Sequence, residues 1–299
     1  MTSQLATPDT ATWPKVGAPA PVRPARRRDR AARLVLYTVL AAGLAVMIVP
    51  FVWMLLSSVK PGFEVRAVPP TWWPERFTLG NYRELFTRLD FPRYFTNSAV
   101  VALLVTAGNL GICSATGYAL AKLRFAGRRA LFGLVIGNVM VPPVVTFVPS
   151  FVLVSKLGLV NTYAGLVLPN VALAINVFLM RQFMLSIPDE LLESARIDGA
   201  GEWRIFWQIV LPLSRPALAT VGILTFLGSW NNFLWPLVVA TTEDMYTLPV
   251  ALALYSTGQN QTDYGLLLAG SVVVVVPVLL VFLVLQRHFV RGIATTGLK

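Results

Sequence analysis

A single cysteine, Cys113, and a single histidine, His288, stand in 299 residues. One cysteine cannot close an intrachain disulfide, and neither residue has the companions a metal site needs. Cys113 lies in an apolar run and reads as a small buried hydrophobe. His288 follows Arg287 at the end of another run and reads as an interfacial residue. Phosphate-binding text of the form G-x-x-x-x-G-K-[ST] is absent, and Gly199-Ala200-Gly201 is too short for a dinucleotide fingerprint. The apolar runs hold no carboxylate pair, histidine cluster or nucleophile–base pair, which removes the material for a membrane enzyme. Only 13% of the residues are charged, and the central portions of the apolar runs contain no Asp, Glu, Lys or Arg. An ion-coupled carrier usually keeps an ionisable group there to bind its driving ion. The absence counts strongly against a proton-coupled carrier and less strongly against a sodium-coupled one.

What the chain has is hydrocarbon. Hydrophobic residues make up 56% of it, and the mean hydropathy is +0.66. A soluble domain could not bury that much apolar surface, so the class is a polytopic membrane protein. Six runs are near or above the roughly 20 residues that cross a bilayer: about 34–58, 97–121, 131–154, 162–180, 217–241 and 265–286. Backbone in hydrocarbon must bond to itself, so an all-α membrane fold of six helices is expected. The first run is too long for a signal-peptide core, and no small-residue cleavage site follows it. Residues 1–33 are proline-rich and end in Arg23, Arg26, Arg27, Arg28, Arg30 and Arg33, the composition of a disordered basic tail.

The net charge is +11, but the basic residues form no stripe such as a nucleic acid would need. They follow the topology instead. With the N-terminus inside, eighteen of the 25 lysines and arginines fall in cytoplasmic pieces. These are the tail, residues 122–129, residues 181–215 and the C-terminus. The fifth-to-sixth-helix loop has none and carries Glu243, Asp244 and Asp263. Both ends are therefore expected on the cytoplasmic side.

In the first outer loop, Tyr82, Leu85, Phe86 and Leu89 recur at helical spacing and predict a helix lying on the membrane or on a neighbour. Gly133 and Gly137 have the spacing that lets two helices approach closely, or that arises by chance in such a run. Pro142-Pro143 should kink or end the third helix. Gly228 to Pro236 reads GSWNNFLWP. Adjacent amides in a bilayer must bond to another helix or face water. Trp230, Asn231 and Asn232 suit either a sugar pathway or a polar clasp between helices, and so do Asn109, Asn138 and Asn176.

One insert is too charged for hydrocarbon. Ser186 to Pro216 carries Asp189, Glu190, Glu193, Asp198 and Glu202 with Arg196, Arg204 and Arg215. Ser186 and Asp189 form a helix-start signal, with Pro188 suited to the first turn. Leu191, Leu192 and Ala195 make an apolar stripe. Gly199 supplies a left-handed cap. Glu202 then opens a second helix whose apolar face is Ile205, Phe206, Ile209 and Val210, and Pro212 and Pro216 end it.

Glu193-Ser194-Ala195, Asp198-Gly199-Ala200 and then Ile209, Leu211 and Pro212 resemble the "EAA" loop of ABC importer permeases, with Ser194 where the family usually has Ala. Tyr118-Ala119-Leu120-Ala121-Lys122 with Phe125 and Gly127 resembles the end of the second helix in sugar importers. Val139 to Pro143 and Leu157 to Gly165 resemble the same family. Gln286 to Gly292 and the tail to Lys299 look like the C-terminus of the smaller, G-type permease of maltose-type importers; Ala294-Thr295-Thr296-Gly297 departs from its usual ending. The resemblance covers about residues 35–292 and implies the type I importer permease fold in a bacterial cell membrane. It implies that Glu193, Ser194, Ala195, Asp198 and Gly199 dock into a groove on a cytoplasmic ATPase. The partners it implies are a homologous F-type permease, two copies of that ATPase and an extracytoplasmic sugar-binding protein, met in relatives by the outer loop at about 242–263. This chain would bind no cofactor, ATP and Mg belonging to the ATPase. The mechanism implied is alternating access.

Overall fold

A computed structural model describes residues 28–256 and 263–296. The expected tail up to residue 27, residues 257–262 of the last outer loop and residues 297–299 lie outside them. The chain divides into two units, Met1–Phe51 and Val52–Lys299.

All regular elements among the described residues are helices. α1 spans Arg28–Ser58, so helix begins among the arginines expected in the tail rather than at Leu34. Short α2 (Gly62–Val65) and α3 (Gly80–Arg88) lie in the segment expected as the first outer loop. α4 (Phe91–Gly108) continues through a π-helical turn, Asn109–Cys113, into α5 (Ser114–Lys122). α6 (Arg128–Met140) and α7 (Pro143–Lys156) follow, then α8 (Tyr163–Val167), a 3-10 turn and α9 (Ala174–Leu185). The charged insert holds α10 (Asp189–Ile197), α11 (Glu202–Ile205), a π-helical turn and α12 (Leu211–Leu213). α13 (Arg215–Trp230), α14 (Leu234–Val239), α15 (Leu248–Ser256) and α16 (Tyr264–Thr296) complete the chain.

Two uninterrupted helical stretches, Ala32–Ser58 and Phe91–Lys122, are long and apolar enough to span a membrane. The third, fourth and fifth expected spans are broken, and proline chemistry explains the sharpest break. Pro142 has no N–H to donate, and Pro143 forces extended backbone on the residue before it. Pro142 sits at ψ 135°, and α6 and α7 meet at 104°, so the third helix ends at this corner, one of the two outcomes expected there. The fourth run bends by 45° between Asn170 and Ala174. The fifth stops at Trp230 and resumes at Leu234, with Asn231 to Phe233 between. The apolar stretch of α16 among the described residues, Tyr264–Leu280, is shorter.

The core of the second unit lies between these pieces. Gly117 permits a close crossing of α5 and α9. A Cβ there would lie 2.8 Å from Met180 Cβ and 3.0 Å from the Arg181 backbone nitrogen, so α5 and α9 touch backbone to side-chain root. At Gly133 and Gly137 nothing lies within 4 Å of an added Cβ, so that spacing makes no close approach within the chain. Leu85 of α3 and Leu89 just after it are buried in one cluster with Leu266 of α16, while Phe86 stays exposed.

Candidate functional site

The charged insert is built onto the ends of α5 and α9. Ser186 closes α9 rather than opening α10, because its hydroxyl donates to the Phe183 carbonyl at 2.7 Å. α10 instead starts directly after Pro188, whose missing N–H costs nothing there. Leu192 is buried among Met180, Met184, Ile205, Phe206 and Val210, while Leu191 stays exposed. One side of α10 is therefore an anchor. Its other side is open.

The turn after α10 is a Schellman cap. Gly199 N–H donates to the Arg196 carbonyl at 3.0 Å, and Ala200 N–H donates to the Ala195 carbonyl at 2.9 Å. This pair of bonds needs a left-handed residue between them, and Gly199 sits at φ +81°. Ser194 donates its hydroxyl back to the Glu190 and Leu191 carbonyls at 3.0 and 3.1 Å. Asp198 ends the helix, exposed. Glu193 is exposed and bonds to no group among the described residues. Ile197 is 87% exposed, so acid and apolar side chains share the outer face of α10.

Two polar ties fasten this loop to α5. At its start, Lys122 Nζ donates to the Ile187 carbonyl and to Asp189 Oδ1, both at 2.6 Å. The Lys122 ammonium holds the Asp189 carboxyl below its ordinary range. The tie is thus intact at neutral pH and is lost only as pH falls through that lowered value. At the far end, Glu202 accepts from Tyr118 Oη at 2.5 Å and from Arg196 Nε at 2.8 Å. One carboxylate joins α5, α10 and α11. Sequence reading gave Glu202 only a helix-start role and missed Arg196. The available signal was the four-residue spacing of Tyr118 and Lys122, which puts both on one face of α5.

The amides of the apolar runs fall in three places. Asn176 donates to Asn109 Oδ1 and Thr225 Oγ1, both at 2.9 Å, and is buried. Asn109, in the π-helical turn, donates to the Val105 and Asn170 carbonyls and accepts from Leu173 N–H. It thus satisfies backbone freed by the break before α9. Trp230 is also buried; its indole donates to the Val274 carbonyl at 3.0 Å and its ring stacks on Phe226. Asn231 is exposed, donates to the Leu227 carbonyl at 3.0 Å and lines a cavity of about 340 Å³ with Phe233, Ser271 and Val274. Asn232 Oδ1 accepts from Trp235 N–H at 3.3 Å and opens α14. The four named pathway candidates are therefore not brought together. Asn138 lines a different cavity, about 720 Å³, with Thr116, Tyr118, Glu202 and Trp203.

Residues 109–295 match the family described as binding-protein-dependent transport system inner membrane component. The chain is 40% identical over 257 residues to the arabinooligosaccharides transport system permease protein of Halalkalibacterium halodurans, covering 85% of this chain and 92% of that one. It is 37% identical to the diacetylchitobiose uptake system permease protein of Streptomyces coelicolor, with 91% of each covered. Among solved structures it resembles a bacterial ABC transporter that imports the acidic polysaccharide alginate. The TM-score is 0.78 at 24% identity, over 88% of this chain and 98% of that one. An alginate transporter in complex with its pentasaccharide-bound periplasmic protein also matches, at TM-score 0.64 and 17% identity, over 87% and 95% of the two chains.

Proposed function

We infer how this chain works from one premise: it belongs to the family of binding-protein-dependent transport system inner membrane components and is a permease of the carbohydrate ABC importers. It forms half of a translocation pathway, paired with a homologous F-type permease in a bacterial cell membrane, and crosses that membrane six times with both ends cytoplasmic. The loop from Ser186 to Pro216 docks on one of two cytoplasmic ATPase copies, which carry the ATP and Mg. An extracytoplasmic binding protein delivers the sugar. Named relatives handle oligosaccharides, which supports a carbohydrate of that class as the cargo. The alginate transporter solved with its periplasmic protein supports a binding-protein partner.

The observation that carries the docking assignment is the two-sidedness of α10. Leu192 fixes its inner side in the core, while Glu193 and Ile197 stand free on the outer side. A ligand couples to a distant equilibrium only through interactions that differ between states. A rigid, outward-facing helix end can be seated differently in open and closed ATPase dimers. An unattached loop could not transmit that difference. Nothing in the structure favours the ion-coupled alternative. Co-expression with the partner permease and ATPase tests the assignment. Glu193→Arg with Ile197→Asp should leave the chain in the membrane, lose the ATPase on purification and abolish ATP-driven sugar uptake. A doubly substituted chain that keeps its ATPase overturns the docking assignment.

A further inference from the structure

At the boundary where α5 ends and α6 begins, Arg124, Arg128, Arg129 and Arg181 line one cavity of about 740 Å³ with Phe125 and Phe132. Among the described residues no carboxylate lines it. Arg128 lies along the end of α5 and donates to the carbonyls of Leu120, Ala121 and Leu123 at 2.9, 3.0 and 3.1 Å. Arg181 donates to the same Leu120 carbonyl at 3.2 Å, and its guanidinium lies 3.8 Å from the Phe132 ring centre. Two half-buried guanidinium groups thus share one acceptor, side by side, with no counter-ion between them. Arg124 and Arg129 are exposed and make no hydrogen bond among the described residues. Asp189, whose carboxylate feels the charge of Arg124, is already held by Lys122.

Four like charges on one concave surface are unfavourable until an anion joins them. Arginine forks match phosphate oxygens in pairs. The surroundings say which phosphate. Phe125, 40% exposed, lines both this cavity and the neighbouring one of about 720 Å³, where Leu131 and Leu134 of α6 also stand exposed. A purely aqueous anion would gain nothing from that apolar margin, whereas a lipid places its phosphate in the cavity and its chains along α6. We propose that this cavity binds the headgroup phosphate of an acidic phospholipid of the cytoplasmic leaflet. The proposal rests on the reading that puts the end of α5 on the cytoplasmic side, where anionic lipids meet basic residues.

The test is native mass spectrometry of the permease–ATPase complex, purified from vesicles of equal phosphatidylglycerol and phosphatidylcholine. The wild type should retain phosphatidylglycerol over phosphatidylcholine. Arg124→Gln with Arg129→Gln should weaken retention about 25-fold, from roughly fivefold per basic residue. Arg124→Lys with Arg129→Lys should keep most of it, which separates charge from folding. Equal retention of the two lipids, or an unchanged double Gln variant, overturns the proposal. Displacement of the lipid by excess inorganic phosphate also overturns it, because the site then takes a free anion. Lipid selectivity missing from a complex that still holds its ATPase is the failure of this proposal alone. A wild-type chain that holds no ATPase is the failure of the permease reading.

Discussion

Gly199 offers the sharpest perturbation, because its place in the chain and its place against a partner make different demands. A Cβ added there meets nothing within 4 Å, so no side chain collides with this protein. The backbone at φ +81° is the whole intrinsic cost. An ordinary L-residue in the left-handed region costs about 1–2 kcal/mol, and Asn costs less because it visits that region readily. Gly199→Ala and Gly199→Leu should therefore destabilise the free permease alike, by about 1–2 kcal/mol, and Gly199→Asn by less. None of these approaches the total stability of a folded domain, about 5–15 kcal/mol. All three variants should insert at normal levels, with small shifts in thermal unfolding.

Docking breaks that equality. If the turn lies in a groove of the ATPase, the Leu atoms that found open space here find partner atoms there. Overpacking an interface of core-like density costs about 1–3 kcal/mol, so the ATPase should be held roughly 5- to 150-fold more weakly by the Leu variant than by Ala. The assay compares membrane level, ATPase retained on purification and ATP hydrolysed per sugar imported across the three variants. Leu and Ala variants that retain ATPase equally and import sugar at the same ratio refute the reasoning. So does a Leu variant that fails to insert, since that would place the clash inside this chain.

Glu202→Gln should cost about 1–3 kcal/mol, by removing the charged acceptor of the buried Tyr118 hydroxyl and the ion pair with Arg196. It should raise ATP hydrolysed per sugar while the ATPase remains bound; an unchanged ratio would leave this carboxylate a surface pair of no consequence. Asn231→Ala removes an exposed amide and should raise the KM for sugar uptake with little change in thermal unfolding. Asn232→Ala removes the cap of α14 and should cost about 1 kcal/mol of stability with KM unchanged. Wild-type uptake of every sugar and unaltered unfolding in both would deny Asn231 a place on the pathway and Asn232 its capping role.

What could be read in advance from the residues was what bilayer length and local chain chemistry dictate. The apolar runs located the helices because crossing hydrocarbon needs about 20 residues whatever the fold. Pro142-Pro143 and Gly199 announced a break and a left-handed turn because proline and glycine act on their own backbone. Ser186 misled for a related reason: its hydroxyl can serve the helix before it or the one after, and only the chain's path decides. The glycine pair at 133 and 137 could mark a close approach or chance, and no close approach forms there within the chain, whereas one forms at Gly117, in no such pair. Small residues permit contact without causing it.

The ties that hold the loop and the amides join residues far apart in sequence. Tyr118 and Glu202 are 84 positions apart, and Asn109 and Asn176 are 67 apart. No periodicity connects such pairs; they exist because α5 and α9 cross closely enough to bring their ends together. The consequence reaches beyond recognition of the loop. Lys122 at its start and Glu202 at its far end both fasten α10 to α5, while Leu192 packs it on α9 and α11. α5 continues through the π-helical turn to Asn109, and Asn109 holds the broken backbone ahead of α9. The charged insert and the amides at Asn109 and Asn176, which looked like separate features of the sequence, attach to opposite ends of one helical stretch.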